Sequence, residues 1–384
     1  MIAQIQASRA AGRITAPPSK SMAHRLLIAA GLAGDESLVS GIDWSEDLLA
    51  TRDCLHALRT GETLCCRESG STLRFFIPLA LLGAAPLAFT GSQRLMSRPL
   101  GVYEELCRDQ GLAFVQKGRE LSVCGPLRPG LFELPGDVSS QFVTGLLFAL
   151  PQLAGESVIA LRPPVESRSY IELTLAALRL FGVEAAWVDE HTLRVPGSQR
   201  YLPRRVQVEG DWSNGAFLSA FNLLGGDVTV EGLDEASLQG DKVYIKHYST
   251  LETAFAEISL ADCPDLGPVL FALAAEKHGA HFTETRRLRI KESDRGAAMA
   301  EELGKFGADV RVGEDDIWIY PTALHAPAEP LCGHNDHRIV MALSLLLTKY
   351  GGSIAGAEAV RKSYPGFFAD IQKLGIKVEQ KNGD

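Results

Sequence analysis

A six-fold internal repeat is the feature that most constrains the fold of this 384-residue chain. Each copy has a cluster of polar or small residues, an apolar stretch of helical length, a glycine and a short apolar strand. The copies read SKSMAHRLLIAAGLAGDESLVSG, ESGSTLRFFIPLALLGAAPLAFTG, SSQFVTGLLFALPQLAGESVIAL, DWSNGAFLSAFNLLGGDVTVEGL, DCPDLGPVLFALAAEKHGAHFTE and HNDHRIVMALSLLLTKYGGSIAG. Because these stretches are apolar nearly all round, they predict helices buried inside a domain rather than surface helices.

The spacing of the copies indicates a duplication. The glycines that follow the apolar stretches are plausible helix C-caps, and they are Gly34, Gly83, Gly155, Gly226, Gly279 and Gly352. The first three are separated from the last three by 192, 196 and 197 residues, respectively. Three units doubled into six predict two similar domains, with a boundary between residues 206 and 211.

A second recurring element lies between the copies. It is an amphipathic helix that ends in glycine and leads into a strand, as in YEELCRDQGLAFVQ, LAALRLFGVEAAWV, MAEELGKFGADVRV and FADIQKLGIKVEQ. Each unit therefore has one buried and one more exposed helix with strands between them, which predicts an α/β fold.

Composition limits the function classes. A formal charge of -9 with no Lys/Arg block argues against a nucleic-acid surface, although a local cationic pocket for a small anion remains compatible with it. The seven cysteines lack metal-ligand spacing, which predicts reduced thiols in a cytoplasmic protein without a zinc site. Neither a signal peptide nor a membrane span is expected from the apolar runs.

Polar residues gather where the buried helices should begin. These starts carry Lys20 and Ser21, Gly70 to Thr72, Ser139 to Gln141, Ser213 and Asn214, Asp265, and Asn335 to Arg338. A helix N-terminus offers free N–H groups and a partial positive charge, so such starts suit an anion. Simple N-capping is the alternative for each of them.

Cations accompany these starts in both halves of the chain. They are Lys20, Arg25, Arg74, Arg98, Lys291, Arg295, Arg338 and Lys362. Several adjoin apolar sequence, where a guanidinium is costly without a partner, and Arg can grip a carboxylate or phosphate with two bonds. A structural salt bridge is the alternative for any one of them. Together they predict a highly anionic ligand held between two domains, with Asp265, Glu292 and His337 as acid–base candidates.

The ordered motifs resemble those of the EPSP synthase family. APPSKSMAHR is similar to the family's N-terminal signature, ESGSTLR to its second glycine motif, and GSQRLMSRPL to its arginine–proline segment. SSQF, ESRSYIELT, VEGDWSN, LQGD, RIKESDR, NDHRIVMA and KSYPGFF follow in the family's order over more than three hundred residues.

The resemblance implies a fold and a reaction. The fold would have two domains, each of three βαβαββ units with buried helices in an inside-out α/β barrel, at residues 15–206 and at residues 1–14 plus 207–384. The domains would close on phosphoenolpyruvate and shikimate 3-phosphate. The enolpyruvyl group would pass to the 5-hydroxyl through a tetrahedral intermediate, without a metal or organic cofactor, in a cytoplasmic monomer.

The resemblance also implies roles for matching positions. Shikimate 3-phosphate would contact Lys20, Ser21, Arg25, Ser139, Ser140, Gln141, Ser167, Tyr170, Asp265 and Lys291. Phosphoenolpyruvate would contact Lys20, Gly70, Arg98, Gln141, Arg295, His337, Arg338 and Lys362. The catalytic residues would be Lys20, Asp265, Lys291 and Glu292, with Glu292 as the proton-transfer partner of the phosphoenolpyruvate methylene.

Some positions depart from the family pattern. Glu68 stands where Asn is usual, Phe75 where Pro is common, and Arg287 where some members have a substrate-binding Asn. Gly70 keeps the small residue associated with sensitivity to the inhibitor glyphosate. These departures concern local ligand contacts rather than the reaction.

Two rival interpretations remain open. The sister transferase that acts on UDP-N-acetylglucosamine has Lys-Asn where this chain has Lys20-Ser21. A catalytically inactive, anion-binding relative would be expected to lose Lys20, Asp265, Glu292 or Lys362, all of which are present.

Overall fold

The structure, a computed structural model, describes residues 1–381. Two units divide the chain. Lys20–Val208 forms one, here called the central unit, and Met1–Ser19 with residues 209–381 forms the other, here called the terminal unit. The sequence places these boundaries a few residues earlier, at 15 and 206, and the last three residues of its second domain lie outside the described part. Ala16 and Ser19 stay in the terminal unit because their N–H groups donate to the carbonyls of Glu231 and Glu209, each at 2.8 Å.

The strands are short and alternate with helices. In chain order they are β1 Ile2–Ile5, β2 Ala11–Thr15, β3 Val39–Ser40, β4 Leu64–Cys65, β5 Leu87–Thr90, β6 Ala113–Lys117, β7 Glu120–Cys124, β8 Leu131–Pro135, β9 Ser157–Arg162, β10 Ala186–Trp187, β11 Thr192–Val195, β12 Val206–Gln207, β13 Asp227–Glu231, β14 Ala256–Ser259, β15 Ala280–Thr283, β16 Asp309–Val312, β17 Asp316–Tyr320, β18 Leu331–Cys332, β19 Gly352–Ala355 and β20 Val378–Lys381.

The α-helices are α1 Lys20–Leu32, α2 Glu46–Thr60, α3 Gly70–Ala80, α4 Gln93–Met96, α5 Gly101–Gln110, α6 Ser140–Ala149, α7 Arg168–Leu180, α8 Trp212–Ser219, α9 Tyr244–Thr253, α10 Gly267–Glu276, α11 Arg295–Gly304, α12 His337–Tyr350 and α13 Phe367–Lys373. Short 3-10 helices that bear on the site are Gly240–Val243, Pro264–Leu266, Arg286–Ile290 and Ala357–Lys362. Among residues 1–381, no helix combines the length and apolarity needed to cross a bilayer.

The four-stranded sheets share one topology. Their strand orders are β4-β5-β7-β6 and β8-β9-β11-β10 in the central unit, and β14-β15-β17-β16 and β18-β19-β1-β20 in the terminal unit. In each, the first two strands are parallel and flank a buried helix, and the other two pair antiparallel. This is the βαβαββ pattern.

The N-terminal strand closes the last of these sheets. β1 lies between β19 and β20, with Ile2 opposite both Ala355 and Lys381. The first residues therefore belong with the last ones, which is why the terminal unit contains both ends of the described chain.

The first repeat of each unit, which contains α1 or α8, has only a two-stranded parallel sheet. β2 directly precedes α1 in sequence but pairs with β13, in the terminal unit. β12 directly precedes α8 but pairs with β3, in the central unit. At both crossings, a strand and the buried helix that follows it thus belong to different units.

The six apolar stretches form the buried helices that their pattern predicts. Every residue of α3 is buried except Ser71, and every residue of α6 except Gln141. The terminal-unit helices α8, α10 and α12 are buried over nearly their whole length. The predicted glycine C-caps are wrong in detail: Gly225 and Gly351 end their helical segments one residue before the predicted glycines. Leu81 and Lys277, rather than Gly83 and Gly279, are the C-caps of α3 and α10. Burial of the helix bodies leaves the first turns as the polar parts, and these turns carry the predicted site residues.

Candidate active site

Arg25 organises the predicted binding residues of the central unit. Its guanidinium donates to the Ser21 carbonyl at 2.6 Å, the Tyr170 carbonyl at 2.9 Å and the Thr174 hydroxyl at 2.9 Å. A longer contact of 3.5 Å reaches Thr144. Because these partners lie on α1, α6 and α7, Arg25 joins the N-terminal halves of three helices.

The Arg25 guanidinium is buried, with 2% of the residue exposed, yet its acceptors are all neutral oxygens. Within residues 1–381, no carboxylate pairs with it. Burial lowers the pKa of Arg25 to about 10, so the group stays charged at neutral pH. Phe75, one of the departures from the family pattern, places its ring 5.5 Å from the guanidinium carbon and so adds a cation–π contact.

Lys20, in contrast, has a carboxylate partner. Its Nζ lies 2.8 Å from Asp47 Oδ2, and both side chains are mostly buried. Lys20 opens α1 and Asp47 lies in the first turn of α2, so the pair joins two helix starts. Sequence reasoning did not select Asp47, because it lies 27 residues from Lys20 in a helix that reads as amphipathic.

Gln141 joins the start of α6 to that of α3. Its Nε2 donates to Ser71 Oγ at 3.0 Å, and its Oε1 accepts from Arg74 Nη1 at 2.8 Å. Gly70 begins α3 beside two guanidiniums, and a Cβ there would lie 2.5 Å from Arg98 Nη1 and 3.3 Å from Arg74 Nη1. Glycine at this position therefore makes room for the cations.

The predicted serines lie at the same helix starts. Ser139 is the N-cap of α6 and accepts from the Gln141 N–H at 3.3 Å, and Ser140 follows it at the edge of burial. Ser167 precedes α7 with φ 55° and ψ 39°, a left-handed conformation that is strained for a non-glycine residue. Tyr170 follows in the first turn of α7, where its ring lies 6.0 Å from the Arg25 guanidinium carbon.

Asp265 is the centre of the terminal-unit cluster. Its carboxylate lies 2.8 Å from Arg295 Nη1, 3.1 Å from Arg338 Nη2 and 3.3 Å from Lys291 Nζ. Burial by itself would raise the pKa of Asp265, but Arg338, Lys291 and Arg295 together hold it well below its usual range. Asp265 is therefore ionised at neutral pH in the ligand-free protein.

Arg295 is surrounded by carboxylates. The residue is 1% exposed, and its guanidinium donates to Asp336 Oδ2 at 2.9 Å and to Glu292 Oε2 at 2.8 Å, in addition to Asp265. Burial opposes its charge, but these carboxylates outweigh that effect and raise the pKa of Arg295. The predicted acid–base residue Glu292 thus lies in direct contact with a predicted ligand cation.

Lys291 is less strongly held in its charged form. Burial lowers the pKa of Lys291, and the positive charge of Arg295 adds to this effect, while Asp265 opposes it. A lysine in such surroundings can exchange a proton nearer to neutral pH than a solvated one. Lys291 follows the 3-10 helix Arg286–Ile290, in which Arg287 donates to the Ala261 carbonyl.

The loop before α12 gathers the remaining predicted residues. Asp336 caps α12 by accepting from the Arg338 N–H at 2.9 Å, and Arg338 Nη1 donates to Ser213 Oγ at 2.6 Å. His337 is buried, with its Nδ1 3.9 Å from Asp336 Oδ1. Lys362 ends the 3-10 helix Ala357–Lys362 and donates to the Asn335 carbonyl at 2.6 Å.

Comparisons with known proteins identify the family of this chain. A family model described as EPSP synthase (3-phosphoshikimate 1-carboxyvinyltransferase) matches residues 5–65 and 60–371. The 3-phosphoshikimate 1-carboxyvinyltransferase of Clostridium kluyveri is 37% identical and the alignment covers 98% of both chains, and that of Clostridioides difficile is 34% identical over 99% of this chain and 98% of its own. The chain belongs to the EPSP synthase family.

Solved structures support the same fold. EPSP synthase from Acinetobacter baumannii superposes with a TM-score of 0.75 at 23% identity, covering 99% of both chains. The enolpyruvyl transferase NikO from Streptomyces tendae gives a TM-score of 0.78 at 12% identity, covering 100% of this chain and 99% of its own. The family and the α/β fold class expected from the motifs are therefore confirmed.

Within the EPSP synthase fold, sequence reasoning missed one further buried carboxylate. Asp241 is 4% exposed, and its pKa is raised to about 6, first by burial and then by the negative charge of Asp265, against the opposing effects of Arg338 and Ser213. Asp241 ends the LQGD motif, which was noted as a family segment without a role. A motif that ends in an acid directly before a helix was the available signal.

One group of described residues has the composition of a metal site. The ligand atoms of Glu301, Glu302 and His334 lie within 4.8 Å of one another. Glu302 is fully buried, but its oxygens already accept from His334 Nε2 at 3.0 Å, Lys305 Nζ at 3.1 Å and the Cys332 N–H at 2.9 Å. With an ammonium group and an imidazole on one carboxylate, this group is explained by ion pairing.

Proposed function

We propose that this protein transfers the enolpyruvyl group of phosphoenolpyruvate to the 5-hydroxyl of shikimate 3-phosphate, releasing phosphate. Curated relatives at 34–37% identity over nearly their full length carry this activity in their names. The observation that carries the proposal for this chain is the environment of Arg25. A buried guanidinium that only neutral oxygens surround can accept a dianion without first breaking an ion pair.

Shikimate 3-phosphate is assigned to the helix starts around Arg25. Its phosphate would be bound by Ser139, Ser140 and Ser167, where hydroxyls and helix N-termini coincide. Ser21 and Tyr170 lie in the first turns of α1 and α7, both of which Arg25 touches through a carbonyl. Gln141 would serve both substrates, since its amide is already oriented by Ser71 and Arg74.

Phosphoenolpyruvate is assigned to the cationic residues that match the family's motifs. These residues are Lys20, Arg98, Arg295, His337, Arg338 and Lys362, together with the Gly70 amide. Arginine forks match carboxylate and phosphate oxygens, so these residues suit a ligand that carries both groups.

The acid–base step is assigned to the Asp265 cluster. Protonation of the methylene carbon makes the adjacent carbon electrophilic, the 5-hydroxyl adds to it, and the tetrahedral product then loses phosphate and a proton. Glu292 would exchange the methylene proton, and Asp265 with Lys291 would take the hydroxyl proton. An anionic substrate that draws Arg338 or Lys291 away from Asp265 would raise the pKa of this carboxyl and make it a better base.

Three finer properties follow as proposals. The protein would be a monomer, it would act in the cytoplasm, and it would need neither metal nor organic cofactor. Sedimentation of the purified protein tests the first, localisation of the tagged chain the second, and activity after exhaustive chelation the third.

The test of the function is phosphate release from phosphoenolpyruvate by the purified protein. We expect release that depends on shikimate 3-phosphate and is absent with UDP-N-acetylglucosamine. Release with the nucleotide sugar instead would assign the chain to the sister activity. No release with either acceptor would identify an inactive relative, and Glu68 and Arg287 would then be the first positions to revert.

A further inference from the structure

Four polar side chains form a continuous buried chain inside the central unit. His24 Nδ1 lies 2.7 Å from Thr51 Oγ1, Thr51 Oγ1 lies 2.8 Å from Thr72 Oγ1, and Thr72 Oγ1 donates to Ser69 Oγ at 2.7 Å. All four residues are 0–1% exposed. We call these residues the hydroxyl chain.

The hydroxyl chain links three helices close to their functional ends. His24 lies one turn after Lys20 on α1, and Thr51 lies one turn after Asp47 on α2. Ser69 is the N-cap of α3 and accepts from the Thr72 N–H at 3.2 Å, directly before Gly70. The Asp47 carbonyl lies 3.4 Å from Thr72 Oγ1 and is a second, longer acceptor for the same proton, which places α3 beside the residue that pairs with Lys20.

A single donor-to-acceptor direction along the hydroxyl chain requires a particular tautomer of His24. With Thr72 donating to Ser69, its oxygen can accept from Thr51, and Thr51 can in turn accept from His24. In this arrangement His24 carries its proton on Nδ1, and its buried Nε2 has no hydrogen-bond partner among the described residues. Burial, followed by the charges of Lys20 and Arg25, lowers the pKa of His24 well below its usual value, which keeps the ring neutral as this arrangement requires.

Core packing alone does not account for these residues. Valine has nearly the shape of threonine, and apolar side chains would fill the same space without the cost of burying hydroxyls. A fully connected polar chain instead fixes the relative position of the groups that it joins, because each hydroxyl has a single proton to donate. The groups joined here are the helix starts that carry Lys20, Asp47 and Gly70.

We propose that the hydroxyl chain positions the Lys20–Asp47 pair against the N-terminus of α3, and so sets the affinity for phosphoenolpyruvate. This proposal rests on the proposed function. His24, Thr51 and Thr72 act as positioning residues, since they contact one another rather than the substrates.

The decisive variant is Thr51→Val, which keeps the shape and removes the central link. We expect the KM for phosphoenolpyruvate to rise about tenfold, as loss of roughly one buried hydrogen bond implies. The Kd for shikimate 3-phosphate should change much less than this KM, because Lys20 is only one of its assigned contacts and the hydrogen bonds of Arg25 do not involve Thr51. Thr51→Ser should restore the parent KM.

Tyr201→Phe is the matched control. Its hydroxyl is buried in the same unit and donates to the Phe148 carbonyl at 2.9 Å, near the C-terminal end of α6. This variant loses one buried hydrogen bond without touching a predicted site residue. We expect a comparable fall in Tm and an unchanged KM.

The outcomes separate the two proposals. A parent protein that releases no phosphate overturns the proposed function and this inference with it. An active parent whose Thr51→Val variant keeps the parent KM, or raises the KM no more than Tyr201→Phe does, overturns only the positioning role. Should Thr51→Val fail to fold, Thr72→Val is judged by the same comparison.

Discussion

Two buried arginines, Arg25 of the central unit and Arg295 of the terminal unit, are held in opposite ways. In the central unit, Arg25 is surrounded by hydroxyl and carbonyl oxygens and has no carboxylate partner within residues 1–381. In the terminal unit, Arg295 contacts Asp265, Glu292 and Asp336, and the same Asp265 also binds Arg338 and Lys291. Under the proposed function, Arg25 can accept an anion without breaking an ion pair, whereas the carboxylates around Arg295 can take part in proton transfer.

The largest effect should be on turnover, and it should appear in both units. We expect Lys20→Ala and Glu292→Ala each to reduce kcat by about a thousandfold or more, because each removes a group assigned to the reacting atoms. Steady-state phosphate release measures the effect, with Glu301→Ala as an exposed carboxylate control on α11. Near-normal turnover in either variant, with an intact fold by circular dichroism, would refute that residue's role.

Stability should distinguish Arg295 from Arg25. Arg295→Met leaves the fully buried Asp336 without its guanidinium partner, so we expect a loss of about 3–5 kcal/mol in the free energy of unfolding. Arg25→Met leaves only neutral oxygens unpaired and should cost about 1–2 kcal/mol. Urea denaturation checks both values, and Arg311→Met, at an exposed pair with Asp309, should change little. Equal losses of stability in Arg295→Met and Arg25→Met would contradict the difference between the two arginine environments.

The affinity for shikimate 3-phosphate should show the reverse order, with the larger effect from Arg25→Met. We expect Arg25→Met to weaken binding of shikimate 3-phosphate about 100-fold, since each charge-assisted hydrogen bond is worth roughly 1.5–3 kcal/mol. Titration calorimetry with shikimate 3-phosphate alone measures this effect without turnover. An unchanged Kd would remove Arg25 from the binding site and leave its missing counterion unexplained.

A larger side chain at residue 70 should weaken the binding of phosphoenolpyruvate, the substrate assigned to Arg98. An alanine Cβ would meet Arg98 Nη1 at 2.5 Å, so the guanidinium must move. We expect Gly70→Ala to raise the KM for phosphoenolpyruvate about tenfold, the scale of one displaced charged contact. The matched variant is Gly83→Ala, because nothing lies within 4 Å of a Cβ there. A similar KM in both variants would contradict the assignment of Arg98.

The smallest expected effect is a pH dependence of stability that arises from Asp241, next to the Asp265 cluster of the terminal unit. Asp241 faces Asp265, Asp211, Ser213 and Arg338, and its pKa of about 6 in the folded state exceeds the value of an unfolded aspartate. The folded protein therefore binds the proton more tightly, and this stabilisation is lost as the pH rises through 6. We expect the stability of Asp241→Asn relative to the parent to increase by about 1 kcal/mol between pH 5 and pH 8. Denaturant midpoints at the two pH values measure it, and a constant difference would contradict the raised pKa.

Local pattern was enough to predict the elements of this molecule. The apolar stretches specify buried helices because a helix that is apolar all round has no face for water, and the repeat spacing specifies two sets of three. The polar clusters mark the helix starts because these residue types cap free N–H groups. The ordered motifs identified the family, which the comparisons confirm.

The tertiary structure decided which groups meet. Lys20 and Asp47 are 27 residues apart, Arg295 and Asp336 are 41 apart, and Arg338 and Asp265 are 73 apart. The pairing of β1 with β19 and β20, of β2 with β13, and of β12 with β3 also joins distant segments. Sequence periodicity reports only neighbours within about one helical turn or one strand. Whether a buried cation has a carboxylate or a hydroxyl beside it depends on contacts across tens of residues, and this difference distinguishes the cluster that we assign to binding from the one that we assign to proton transfer.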